Sequence, residues 1–262
     1  MAIALEAFVP PTIPVDFTEL LAVLAAVLLT GLVGILDDLL GMRQWVKAFL
    51  PVFAALPLVA IRAGHSTMTI PFIGRLDFGI FYPLILVPLG ITGAANAVNM
   101  LAGFNGLELG MGLVAMGALA AIAGKVGATT ALVTLLAGIG AALGILPFNW
   151  YPAKVFVGDV GTLSIGCIIA ASVIVGDIET AGVILIVPYA IDLVFKATNR
   201  FPKSFGELHA DGKLRCPPNG PVGLAQAILK VTGGLSEQTL VLVLMGIEAV
   251  FGGLAILLYF LR

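Results

Sequence analysis

The chain has 262 residues, 60% of them hydrophobic and only 11% charged, with a mean hydropathy of +1.13. That apolar content excludes a soluble globular domain of this size and predicts an all-α, polytopic membrane helix bundle. The formal net charge of −2 says nothing about nucleic acid and no basic run suggests such a partner, while two cysteines, Cys167 and Cys216, make neither a disulfide framework nor a CxxC metal pattern.

The N-terminal stretch carries Glu6, Pro10, Pro11 and Asp16 without a basic n-region, and so does not read as a signal peptide. Eight candidate spans follow, at 17–40, 45–63, 80–98, 106–124, 127–146, 160–176, 180–197 and 238–261. The connections are short apart from 64–79 and 198–237. In the first, the run 67–78 predicts a small extracytoplasmic β-hairpin turning at Gly74. The second is the longest polar loop. No inverted internal repeat of the kind many transporters show is visible, and residues 1–262 read as one integral membrane domain. Eight spans put both termini on one side. Arg43, Lys47, Lys154, Lys196, Arg200, Lys203, Lys213, Arg215 and Lys230 then face the opposite side, against Arg62, Arg75, Lys125 and Arg262, which makes the former side cytoplasmic.

Polar groups interrupt the spans at a few places, all but one on the cytoplasmic side. Asp37-Asp38 closes the first span. A helix C-terminus disfavours anions, so a role beyond solvation is indicated; adjacent helical residues point about 100° apart, so one reaches a metal or phosphate while the other supports it. Lys47 would lie about 15 Å beyond Asp37 on a continuous helix, and a break near Gly41 would fold it back. It reads either as a phosphate-binding point charge or, with Trp45, as a membrane-interface anchor. The run 96–108, Asn-Ala-Val-Asn-Met-Leu-Ala-Gly-Phe-Asn-Gly-Leu-Glu, sets three asparagines, a glutamate and two glycines between oily helices, where polar groups are costly unless they bind something. Asp159, between Gly158 and Gly161, reads either as a plain helix N-cap or as a magnesium ligand. Asp192 and Lys196, four residues apart, read as a helical ion pair. The loop 209–221 is a phosphate or sugar clamp or simply solvated, and Glu248, alone in the last span, receives no role.

Taken in order, Asp37-Asp38 with Lys47, the run 96–108 and Phe156-Val157-Gly158-Asp159 resemble the polyprenyl-phosphate N-acetylhexosamine-1-phosphate transferases, glycosyltransferase family 4. The resemblance covers residues 17–240 and is closest to the dolichyl-phosphate N-acetylglucosamine-phosphotransferase branch, in its archaeal part. It implies Asp159 and Asn99 as ligands of Mg²⁺, with Mn²⁺ as a substitute. Asp37, Asp38 and Lys47 are implied as catalytic residues, Lys47 holding the pyrophosphate. Asn105, Phe156 and Gly103 are implied at the uridine. That branch carries Cys-Pro-Arg-x-Arg in the long loop; here the run is Cys216-Pro217-Pro218-Asn219-Gly220, and Lys213 or Arg215 stands in at the sugar phosphate. The family has ten spans, which implies two N-terminal spans lacking here and, with them, part of the substrate pocket.

The implied reaction moves N-acetylglucosamine-1-phosphate from UDP-GlcNAc to a polyprenyl or dolichyl phosphate in the bilayer, releasing UMP. A phosphomonoester is largely dianionic at pH 7, so the nucleophile hardly needs a base, and the protein's task is to let two anions meet. One-step and covalent aspartyl routes both stay open. The implied setting is a multi-pass protein, in the cell membrane of a prokaryote, with its site facing the cytoplasm and Gly/Ala-rich spans open to homodimerisation. A cation-coupled transporter is the competing class. Aspartate-rich prenyltransferases and CDP-alcohol phosphotransferases are disfavoured: Met42 follows Asp38 at four, and no DG…AR…D cluster occurs.

Overall fold

In the computed structural model, residues 15–70 and 74–261 are described. The arguments from Glu6, Pro10, Pro11 and Arg262 concern residues outside that range. Helix α1, Phe17–Leu40, starts where the Asp16 side chain accepts the N–H groups of Thr18 at 2.8 Å and Glu19 at 3.1 Å. It stops at Gly41, whose φ of 61° is the left-handed value that glycine adopts without a steric penalty, with its N–H bonded to the Asp37 carbonyl. The chain then reverses into three short helices, α2 (Gln44–Phe49), α3 (Pro51–Ala54) and α4 (Leu56–Ala60). The expected span 45–63 is thus broken, because Pro51 and Pro57 start new helices and cannot continue old ones. Strands β1 (Thr67–Ile70) and β2 (Gly74–Asp77) pair antiparallel, from Thr67↔Asp77 to Ile70↔Gly74. The expected hairpin is present, but Gly74 opens its second strand and is not the turn; residues 71–73 lie outside the described range.

A π-helical turn, Tyr82–Leu86, leads into α5, Val87–Leu101. Next come α6 (Leu107–Val126), α7 (Thr129–Asn149) and α8 (Gly158–Val175). The span expected at 180–197 is a pair, α9 (Glu179–Leu185) and α10 (Val187–Thr198), bent by 51° just before Pro188. A two-residue hairpin, β3 (Glu207–Leu208) with β4 (Leu214–Arg215), and helix α11 (Leu224–Thr232) precede α12, Glu237–Phe260. Among the described residues, six helices are long and apolar enough to cross a membrane, seven if the bent pair is one span. The chain is a polytopic helical membrane protein.

Helix α8 is the axis of the bundle, contacted by α1, α5 and α7, while α6 packs on α7 and α12. Small residues set these distances. A Cβ at Gly34 of α1 would lie 2.5 Å from the Val160 backbone nitrogen, and one at Gly166 of α8 would lie 2.5 Å from the Ala95 Cα on α5. In a bilayer, helices gain by such backbone approach, since lipid offers apolar side chains no advantage to leave. At one end of the bundle, Asp16 N–H meets the Thr130 hydroxyl, His65 meets Asp177, and the Tyr82 hydroxyl donates to Glu179 at 2.6 Å. The other end gathers the loops that carry the candidate site.

Candidate active site

The reversal at Gly41 does what the sequence reading required: it swings Lys47 back onto the end of α1. Its ammonium lies 2.9 Å from Asp37 Oδ2 and bonds Asp159 Oδ2 at the start of α8. The Lys47 side chain is only 12% exposed, as is that of Asp37, which argues against a mere interface anchor. The other Asp159 oxygen accepts from Asn99 Nδ2 at 2.7 Å, and the same amide donates to the Thr162 hydroxyl at 2.7 Å. Helices α1, α2, α5 and α8 therefore meet at one polar cluster of Asp37, Lys47, Asn99, Asp159 and Thr162.

The acidic pair is divided as adjacent helical residues must be. Asp37 faces the cluster and also accepts the Met42 N–H at 2.9 Å. Asp38 turns away and takes the N–H groups of Asp159 and Val160 at 3.1 and 3.3 Å. It caps α8 from another helix, placing a negative charge at a positive helix end. Asp159 is thereby released from the capping role that its position at the start of α8 offered.

The run 96–108 splits between helix and loop. Asn96 and Asn99 lie within α5, and Asn96 donates to the carbonyls of Ala48 and Thr92, both at 2.9 Å. Residues 102–106 form the loop. Its Gly103 N–H donates to the buried Glu108 at 2.6 Å, and a Cβ at Gly103 would meet the ring of Phe205. Asn105 is held on both sides: its N–H donates to Glu237 Oε1 at 2.7 Å, its Nδ2 donates to the same oxygen, and its Oδ1 accepts the Ala153 N–H at 2.7 Å. Phe156, on the Ala153 loop, is 60% exposed and free of the core.

Lys213 and Arg215 stand apart from the Lys47 cluster, on the exposed β3–β4 hairpin at the same end. Arg215 pairs with Asp211 at 2.8 Å, and the Lys213 N–H, with Arg215, holds the Asp211 carboxyl below the usual carboxylate range. Asp192 and Lys196 form the expected ion pair at 2.8 Å, both buried. The pair also stitches helices together: Lys196 bonds the Met100 carbonyl next to Asn99, and Asp192 Oδ1 accepts the Leu224 N–H at 2.8 Å. Three residues of this end escaped the sequence reading as individuals. Thr162 follows Asp159 at three, Glu108 closes the asparagine run, and Glu237 looked like an ordinary acid at a helix start.

For Mg²⁺, the residues present fit. Oxygen donors are what this ion takes, and it typically uses one or two protein carboxylates with water and phosphate completing its shell. Asp37 and Asp159 approach the same ammonium, and Asn99, whose amide nitrogen is turned to Asp159 and Thr162, keeps its carbonyl oxygen as a third donor.

Carboxylates, one lysine and one amide thus meet at the mouth of the helix bundle of an integral membrane protein. The model of glycosyl transferase family 4 matches residues 20–177. A protein of Saccharolobus solfataricus, provisionally named a UDP-N-acetylglucosamine–dolichyl-phosphate N-acetylglucosaminephosphotransferase, is 41% identical over 244 residues, 90% of this chain and 74% of that protein. One of Sulfolobus acidocaldarius with the same provisional name is 40% identical over 238 residues, 90% of this chain and 72% of that protein. The enzyme of that name from Dictyostelium discoideum is 27% identical over 269 residues, 86% of this chain and 65% of its own. The chain belongs to glycosyl transferase family 4, and the transporter reading finds no support in these matches.

Proposed function

We propose that this chain is a phosphoglycosyltransferase that moves N-acetylglucosamine-1-phosphate from UDP-GlcNAc to a polyprenyl phosphate of the dolichyl type, releasing UMP. The observation that carries the reading is the Lys47 ammonium between Asp37 and Asp159, beside Asn99, at the end of a membrane bundle. A membrane-borne phosphate and a soluble sugar nucleotide can both reach such a position.

An oxygen of the lipid phosphate attacks the sugar-bearing phosphorus, the bond to the bridging oxygen breaks, and that oxygen leaves on UMP. The nucleophile is largely ionised already. Lys47 neutralises the diphosphate as a point charge aimed where negative charge develops. Asp37 orients Lys47 and takes up any residual proton of the lipid phosphate. Asp38 acts through α8, by fixing where Asp159 sits. Asp159, Asn99 and Asp37 would hold a Mg²⁺, which would supply Lewis-acid charge to the phosphate oxygens. Lys213 and Arg215, on the exposed β3–β4 hairpin, would meet the sugar phosphate. The site faces the cytoplasm of the cell membrane, since Arg43, Lys47, Lys154 and Lys196 cluster at its end and Arg62, Arg75 and Lys125 at the other.

The test is to incubate purified protein in liposomes with Mg²⁺, polyprenyl phosphate and a panel of UDP-sugars. UMP release, together with a sugar-diphosphate lipid formed from UDP-GlcNAc, is expected. Substrate uptake without UMP would overturn the reading.

A further inference from the structure

Asn105 carries a constraint that its hydrogen bonds alone impose. A primary amide has two N–H donors and two acceptor lone pairs, and its two ends are interchangeable in shape. Here they are not interchangeable in partners. Glu237 is a carboxylate that only accepts, and it takes both the Asn105 backbone N–H at 2.7 Å and one Nδ2 hydrogen. The Ala153 N–H only donates, and it meets Oδ1 at 2.7 Å. Rotating the amide by 180° would set a carbonyl oxygen against a carboxylate and an N–H against an N–H. One Nδ2 hydrogen and one Oδ1 lone pair stay unspent, and Asn105 is only partly buried, between the 102–106 loop and the loop that carries exposed Phe156.

We infer that Glu237 is a specificity-determining positioning residue: by locking the orientation of the Asn105 amide, it makes the site select a uracil-type edge over a cytosine-type edge. This rests on the sugar-nucleotide reading proposed above, taken with the Asn105 amide at the base, and extends it to a residue of α12. The chemistry is direct. Uracil offers an N3–H donor beside a carbonyl acceptor, which a side-chain amide matches with Oδ1 and Nδ2–H. Cytosine offers an N3 acceptor beside an amino donor, which the same amide matches only after flipping. A freely rotating amide therefore accepts both bases, and a locked one accepts one. A well-placed bidentate pair discriminates by about 5- to 150-fold.

The experiment is equilibrium binding of UMP and CMP to the purified 262-residue chain, read by calorimetry, with no turnover required. Wild type is expected to prefer UMP by at least about tenfold. Glu237→Ala and Glu237→Met, two loss variants so that one misfolding leaves the other, are expected to narrow the UMP to CMP ratio by at least about threefold, because the Ala153 N–H alone then restrains the amide. Glu237→Gln, whose carbonyl oxygen still accepts from Asn105, is expected to hold the preference. A change in overall affinity with an unchanged ratio in both loss variants would mark Glu237 as a structural brace and overturn the inference. Wild type that binds neither nucleotide would overturn the sugar-nucleotide reading itself, and this inference with it.

Discussion

Asp38, at the end of α1, holds the N-terminus of α8 through the backbone N–H groups of Asp159 and Val160 at 3.1 and 3.3 Å. Its neighbour Asp37 does something different, facing Lys47 at 2.9 Å. Two adjacent aspartates thus have separable tasks. Asp38→Ala removes an N-cap, a loss of about 0.5–2 kcal/mol, and should lower the melting temperature and activity together. Asp37→Asn keeps an oxygen for the Met42 N–H and should leave the melting temperature in place while activity falls by about 100-fold or more. Thermal melts paired with UMP-release rates decide; equal loss of stability in both variants would contradict the division.

Lys47 is reached by both Asp37 and Asp159, whereas Arg43 is the exposed residue just before α2. Replacing one preorganised charge at a reacting group costs about 10²–10³ in rate. Lys47→Gln should lose at least that much, and Arg43→Gln should change the rate by only a few-fold. Small and equal effects would return Lys47 to the role of interface anchor.

Asp159 should show itself through metal dependence. Asp159→Asn keeps the shape and the Asn99 contact but removes the charge that a divalent cation seeks. The expected outcome is a large rise in the Mg²⁺ concentration needed for half-maximal rate, with the protein still folded. An unchanged Mg²⁺ midpoint would move the cation away from Asp159.

The long spans could be read from hydropathy because a helix that satisfies its own backbone in lipid needs about 20 apolar residues and little else. Where the chain departs from that plan, prolines are the cause, as at Pro51, Pro57 and Pro188. The fold-back of Lys47 was legible because Gly41 offers the left-handed turn. The exchange of roles between Asp38 and Asp159 was not legible. A cap normally comes from the residue just before its own helix, and here it arrives from residue 38 for a helix that begins at Gly158. Glu237 was hidden for the same reason: it sits 132 residues from Asn105, and its own position, after the capping Ser236, already explained an acid there. Asp192 and Lys196 were read correctly as a pair, yet their contacts with Leu224 and Met100 depend on packing that no local spacing reports.

Orientation can be tested with the chain's own thiols. Cys167 is fully buried in α8, while Cys216 is partly exposed beside β4 at the site end. With the site in the cytoplasm, a membrane-impermeant maleimide applied to intact cells should leave Cys216 unmodified, and a permeant one should label it. A cysteine placed at Arg75, on the exposed β2 strand at the other end, should react with both. Labelling of Cys216 by the impermeant reagent would invert the topology.

The last prediction concerns residues that carry no side chain. Gly34 and Gly166 are the points where α1 and α5 press their backbones against α8, and a Cβ at either would lie 2.5 Å from a backbone atom that cannot turn aside. These helices bring Asp37, Asn99 and Asp159 to the cluster. Any side chain at these glycines must push a helix outward, and a misplacement of about 1 Å can cost about 100-fold in rate. Gly166→Val and Gly34→Val should therefore depress UMP release by that order although neither glycine carries a side chain that could take part in the cluster. Gly140→Val, on α7 with nothing within 4 Å of its Cβ, should be tolerated in the same assay. Overpacking in a well-packed interior also costs about 1–3 kcal/mol, so the first two variants should melt earlier than the third. Full activity in Gly166→Val would mean that the α5–α8 spacing does not set the geometry of the site.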